Sequence, residues 1–212
     1  GMTETSPVST QTLPGDSLHH RTATVGRVHP HVEIRIADPD TGDTIERGVP
    51  GEFCTRGYSV MTGYWNDPDK TAAAIDADGW MHTGDLGVMA DDGYVEIVGR
   101  IKDMVIRGGE NVYPREIEEF LYTHPDIEDV QVIGVPDAKF GEELVAWVRP
   151  RAGSDLDRSR DVDVVRDFCR GTIAHFKVPR YETFVEEFPM TVTGTVRKVE
   201  MREKSIADLG LA

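Results

Sequence analysis

Gly99-Arg-Ile-Lys-Asp-Met-Val-Ile-Arg-Gly-Gly-Glu-Asn-Val-Tyr-Pro114 is the stretch on which the architecture turns. Before it the chain reads as short strands joined by tight turns. After it helices and strands alternate. The domain boundary therefore falls inside it, at Lys102, with a strand-rich part over 1–99 and a mixed α+β part over 100–212. The segment also carries its own chemistry. Arg100 is a permanent cation. Gly108-Gly109 suits either a tight hairpin or the close approach of backbone to a ligand, because glycine tolerates positive φ. Pro114 is placed to open a helix.

Upstream, residues 5–24 are rich in Ser, Thr, Pro, Gly and His without periodicity and read as loop. Val32, Ile34 and Ile36 alternate with Glu33, Arg35 and Ala37, a strand with one buried face. Asp38-Pro-Asp-Thr-Gly42 is a turn, and Gly51-Glu-Phe-Cys-Thr-Arg-Gly57 is a further strand. Asp67-Pro68 reads as an N-cap followed by proline in the first helical turn, leading into Lys70–Ile75. Asp91-Asp-Gly93 signals a hairpin between Leu86–Met89 and Tyr94–Val98.

Downstream, a helix runs from Pro114 to about Thr123, with Ile117 and Leu121 on one face and Pro125 closing it. Strands follow around Val130–Val132 and over Leu144–Val148. The charged stretch Asp155–Asp163 reads as a solvated loop. Val164, Val165, Phe168, Ile173 and Phe176 have helical spacing, and Tyr181–Phe188 is a last strand.

Composition narrows the class. The 212 residues carry a net charge of −15, with 39% hydrophobic and 29% charged residues. Such an acidic chain is not a general nucleic-acid or anionic-membrane binder. No apolar run is long enough for a membrane span, and no signal peptide opens the chain. A cytoplasmic location is expected. Cys54 and Cys169 read as reduced thiols, and the seven histidines show no metal-ligand spacing.

Three further motifs carry chemistry. His82-Thr-Gly-Asp-Leu-Gly87 offers Asp85, whose paired carboxylate oxygens match the two hydroxyls of a sugar diol; from the tripeptide alone a turn aspartate is the commoner reading. Thr3-Glu4 offers a hard oxygen ligand for magnesium, although an N-terminal Thr-Glu says nothing by itself. Phe188-Pro-Met-Thr-Val-Thr-Gly-Thr-Val-Arg-Lys198 is rich in turn residues. Gly51-Glu-Phe-Cys-Thr-Arg-Gly57 with Gly63-Tyr-Trp65 reads as structural, Tyr64 and Trp65 as core aromatics.

In this order and spacing, the motifs resemble the adenylate-forming, acyl-activating enzymes from residue 1 to about 202. The nearest likeness is to the C-terminal half of a bacterial medium- or long-chain fatty acyl-CoA synthetase, suggested by Thr3-Glu-Thr-Ser-Pro7 and Arg197–Arg202. The resemblance implies an α+β chain: a strand-rich, β-barrel-like portion of the AMP-binding N-terminal domain, then a small α+β C-terminal lid. It implies that Asp85 and Arg100 bind the ATP ribose, that Thr3 contacts the α-phosphate and that Glu4 holds Mg2+. Lys102 would be the hinge, and Gly108 and Gly109 would line the coenzyme A tunnel. ATP, Mg2+, coenzyme A and a fatty acid are the implied substrates and cofactor.

Two departures qualify this expectation. The family's signature ends in a lysine that touches the reacting carboxylate and the α-phosphate; its position here is Thr195. Lys198 lies about 10 Å further along an extended chain and on the opposite face. The Ser/Thr/Gly-rich phosphate loop with its lysine is absent from residues 1–212, and the family's Tyr-Gly-x-Thr-Glu motif would start just before Gly1. The chain is therefore expected to be a truncated portion, inactive alone, binding nucleotide weakly, and prone to self-associate through surface left by a missing half. A non-catalytic remnant, an aryl-CoA ligase or a peptide-synthetase adenylation domain are the alternatives.

Overall fold

The computed structural model describes residues 1–159, 162–192 and 194–211. The chain divides into two compact units, Gly1–Lys102 and Asp103–Ala212. Both are mixed α and β.

The first unit is built on strands. A 3-10 turn at Thr3–Thr5 leads to β1 (Thr10–Gln11), and a short helix α1 (Leu18–Ala23) precedes β2 (Arg27–Val28), which pairs with β1. Residues 5–24 are thus not wholly loop. Ser17 caps α1 by accepting the His20 N–H, a tertiary-supported turn too short to show periodicity. Then come β3 (Val32–Ala37), β4 (Gly51–Gly57), α2 (Pro68–Ala74), β5 (Met81–Met89) and β6 (Val95–Arg100). The last four strands form an antiparallel sheet in the order β3-β4-β5-β6, which among the described residues does not close into a barrel. Ile36, Phe53 and Val95 form its buried cluster; the alternation in β3 holds in part, since Ile34 is half-buried and Ala37 on the opposite face is fully buried. The Asp67 carboxylate accepts the Lys70 N–H at 3.0 Å and Pro68 occupies the first turn of α2, as the sequence predicts.

The second unit packs helices on both faces of one sheet. A hairpin of β7 (Val105–Arg107) and β8 (Glu110–Val112) is followed by α3 (Pro114–Leu121), β9 (Ile127–Asp137), β10 (Gly141–Pro150), α4 (Asp155–Ser159), α5 (Val162–Cys169), β11 (Tyr181–Phe184) and α6 (Lys198–Leu209). Strand β10 is central: β9 lies antiparallel along one edge, β11 parallel along the other, and β7 meets it at Gly141. The period of two sorts its side chains between two cores. Leu144, Ala146 and Val148 join Ile117 and Leu121 of α3 and Val165 of α5; Val145 and Trp147 join Met201 of α6.

Two expectations change here. Part of the charged stretch Asp155–Asp163 is helical, as α4 and the start of α5, with Leu156 buried as its anchor; Arg160 and Asp161 lie outside the described residues. The helix expected through Phe176 ends at Cys169, and Ile173 and Phe176 reach the same core from a turn and a 3-10 segment. Helix α6 was not anticipated. Its apolar face is narrow, with Met201 and Ser205 buried four residues apart, and the Trp147 indole N–H donates to Ser205 Oγ at 2.8 Å.

Candidate functional site

Asp85 owes its position to an irregularity between β4 and β5. Glu52 pairs with Leu86 and Cys54 pairs with His82. One residue of β4, Phe53, therefore faces three of β5, Thr83, Gly84 and Asp85. A bulge re-aims side chains and locally breaks the ladder. Gly84 accommodates it at φ +70°. Thr83 Oγ1 donates to the Phe53 carbonyl at 2.6 Å and accepts the Asp85 N–H at 3.1 Å. The motif thus lies inside β5.

Across the next ladder, Asp85 is the register partner of Arg100, and Arg100 Nε lies 2.9 Å from Asp85 Oδ1. Burial pushes the Asp85 carboxyl above its ordinary value, with Arg100 pulling against it. The two residues expected to share a sugar are therefore brought together. Asp85, Thr83 and Phe53 line a pocket of about 90 Å³ with Gly1, Met2 and Thr5, so the N-terminal segment reaches the same site. Thr3 is exposed beside it.

Glu4 does not line that pocket. Its Oε1 accepts the Tyr64 hydroxyl at 3.0 Å, and its carbonyl accepts the Met61 N–H at 2.8 Å. Partial burial, then the bond to Glu4, hold the Tyr64 phenol above its ordinary pKa, so it remains a donor. Tyr64 is only half-buried and Trp65 is 91% exposed. Neither is the core aromatic that the sequence suggested, because both fall in the loop after β4 rather than within a strand.

In the second unit Gly108 and Gly109 form the β7–β8 turn at φ +62° and +88°. The Gly108 N–H donates to the Phe140 carbonyl at 2.8 Å, and a Cβ on Gly108 would sit 3.2 Å from the Phe140 ring. Arg107 anchors the hairpin. Its guanidinium makes a two-point pair with the fully buried Glu143, at 2.6 and 2.8 Å, and donates to the Phe176 carbonyl at 2.7 Å. A bidentate Arg–carboxylate pair fixes orientation as well as charge. Lys102 is exposed at the end of the first unit, in a 3-10 turn at Ile101–Asp103.

Thr195 is exposed in a tight turn, where its N–H donates to Thr191 Oγ1 at 3.0 Å and its carbonyl accepts the Thr191 N–H at 2.8 Å. Thr193 of this signature lies outside the described residues. Lys198 opens α6, and its ammonium is 2.9 Å from Glu118 Oε1 and 3.3 Å from the Val132 carbonyl. The chain turns into a helix here, so the extended-strand comparison does not apply; the lysine is instead engaged by α3 and β9. Cys54 and Cys169 are free and buried, and burial pushes both thiols up to about 12.

Matches to two family models place this chain in the adenylate-forming, AMP-binding enzyme family. The family model for AMP-binding enzymes matches residues 1–65 and that for the AMP-binding enzyme C-terminal domain matches residues 116–195. The chain is 53% identical over 212 residues to YngI of Bacillus subtilis (strain 168), named as an acyl-CoA synthetase, covering all of this chain and 38% of that protein. It is 44% identical over 211 residues to the human mitochondrial medium-chain acyl-CoA ligase ACSF2, covering 34% of it. The crystal structure of ATP-bound MatB from Rhodopseudomonas palustris superposes with a TM-score of 0.89 at 39% identity, over 99% of this chain and 40% of that one. The chain thus spans a little over a third of the length of the proteins it matches. The first two of these relatives carry the names of an acyl-CoA synthetase and an acyl-CoA ligase. Among the described residues, no helix is long and apolar enough to cross a membrane.

Proposed function

We propose that this chain is the C-terminal portion of an ATP-dependent fatty acid–CoA ligase, acting in acyl-adenylate formation and then thioester formation. The observation that carries the reading is the Asp85–Arg100 pair: a partly buried carboxylate presented from a bulge, beside a fixed cation. That arrangement suits a ribose diol, whose hydroxyls donate to the carboxylate while Arg100 holds its orientation. Glu4 supplies one hard oxygen for Mg2+; the Tyr64 bond uses Oε1, and Oε2 is available to a cation that completes its shell with phosphate and water. The Mg2+ ion, when bound, offsets phosphate charge. Gly108 and Gly109 supply a side-chain-free turn for a pantetheine arm, and Lys102 is the hinge between units. No side-chain nucleophile is required, since positioning and electrostatics do the work.

The medium-chain ligase activity named for the human relative, and the identity with YngI, support a fatty acid over an aromatic one. The test is acyl-CoA formation from octanoate, palmitate and benzoate by the polypeptide that carries this chain, with Asp85→Ala as control. Thioester from the fatty acids, lost in Asp85→Ala, is expected. Turnover of benzoate alone would replace this reading with an aryl-CoA ligase.

A second reading, a module that no longer adenylates, is favoured by one observation. Thr195 stands at the lysine position, and Lys198 is already engaged with Glu118. On this reading the thioester half-reaction outlasts the adenylation half-reaction.

A further inference from the structure

We propose that Glu52 is a positioning residue for Asp85, its carboxylate spanning the β5 bulge and holding it in the form that presents Asp85. The proposal rests on the reading of Asp85 as the ribose ligand only for its functional consequence; the geometry stands apart from it.

Gly84 has no register partner on β4, because Phe53 alone faces three residues. Glu52 supplies the missing acceptor from its side chain: Oε1 takes the Gly84 N–H at 3.0 Å. The other oxygen, Oε2, lies 2.7 Å from His82 Nδ1. His82 and Gly84 flank Thr83, so one carboxylate grips β5 on both sides of the Thr83 bond to Phe53. Glu52 is 7% exposed. A carboxylate so enclosed persists only where both oxygens are satisfied.

His82 is itself oriented. Its Nε2 lies 3.5 Å from Asp76 Oδ2, while Asp76 accepts the N–H groups of Trp80 at 2.8 Å and Asp78 at 3.0 Å. Arg35 Nη2 reaches Asp76 Oδ2 at 3.4 Å and stacks over Trp80. A chain of contacts thus runs from β3 through the turn after α2 to the bulge. A Glu at position 52 is specified by length: it is the residue of β4 next to Phe53, and its side chain must reach past the ladder to an amide two residues from its own partner Leu86.

Glu52, Cys54 and His82 also present donor atoms within 4.8 Å of one another, a set that suits zinc. The 2.7 Å between Nδ1 and Oε2 argues otherwise. It is a hydrogen-bond separation, whereas two such ligands on a tetrahedral ion stand about 3.3 Å apart.

The test uses the 212-residue chain and NMR. Glu52→Leu should speed exchange of the Gly84 amide about tenfold relative to the Val88 amide in the same strand, the size of one lost hydrogen bond. It should also return the Asp85 carboxyl titration toward its ordinary value. Glu52→Gln keeps an accepting oxygen and should restore most of both. Uniform acceleration across β4 and β5 with an unmoved Asp85 titration would reduce Glu52 to a packing residue and overturn the proposal. So would Glu52→Gln behaving like Glu52→Leu, or a cysteine-to-cobalt charge-transfer band on adding Co2+ alone. The ribose reading is decided separately, by whether wild type prefers ATP to 2′-deoxy-ATP and Asp85→Asn loses that preference. If no preference exists, the ribose reading fails and the two readouts above still decide the role of Glu52.

Discussion

Threonine at position 195, the proposed place of the family lysine, offers a hydroxyl where a lysine would offer a charge. The turn that holds Thr195 is closed by its own hydrogen bonds to Thr191, and the nearest lysine downstream is anchored to Glu118. Thr195→Lys is therefore expected to raise pyrophosphate release by about 10²-fold, the scale of one preorganised charge donor, in the polypeptide that carries this chain; equal rates would show that Thr195 is not limiting. Tyr64 acts at the same scale. Tyr64→Phe keeps the ring, which packs against Lys70, and deletes the donor to Glu4. The Mg2+ concentration for half-maximal adenylation should rise several-fold while the fatty-acid KM stays constant. Asp85, Arg100, Gly108, Gly109 and Thr195 were all legible as residues to examine because they stand in recognisable strings. Glu52 and Tyr64 stand in a string that reads only as structural, because their partners lie 32 and 60 residues away in the chain.

Secondary-structure elements divide along a similar line. The α2 cap was readable because Asp-Pro is a local device; Asp67→Ala should cost about 1 kcal/mol in urea denaturation. The β7–β8 turn was readable because Gly-Gly permits two successive positive φ values. Here the structure separates its two glycines. Gly109→Ala meets open space and costs only backbone strain, on the order of 1–2 kcal/mol; Gly108→Ala adds contact with the Phe140 ring and should be the more destabilising in the same denaturation experiment. The turn between β9 and β10 is held by Asp137, whose carboxylate accepts the N–H groups of Phe140 and Lys139 and is thereby lowered below 3.8. A depressed carboxyl stabilises the fold above its unfolded value and loses that effect as pH falls through the folded one. Asp137→Ala should thus lower Tm at pH 7, with the difference shrinking below pH 3.8, as followed by thermal melts across pH. Helix α6 was missed because its support comes from Trp147 and Ile133 of distant strands, not from its own periodicity.

The whole chain combines a net charge of −15 with several large apolar side chains in water, among them Leu18 at 76%, Tyr58 at 76% and Trp65 at 91% exposure. Charge repulsion opposes self-association at low salt and is screened within about 8 Å at physiological ionic strength. Sedimentation should therefore show monomer at low salt and growing association as salt rises; a monomer throughout would count against an exposed docking surface. Sequence by itself determined the family and the α+β class, and it named the strings on which the proposed site rests. It did so because glycines, prolines, caps and alternation are local restraints on the backbone. Tertiary structure alone decided which side chains support those residues: the three-against-one bulge, the Glu52–His82 grip, the Tyr64 bond to Glu4 and the capture of Lys198 by Glu118. Each joins elements far apart in the chain, and a hydrogen bond leaves no trace in sequence until strand register sets its two ends within reach.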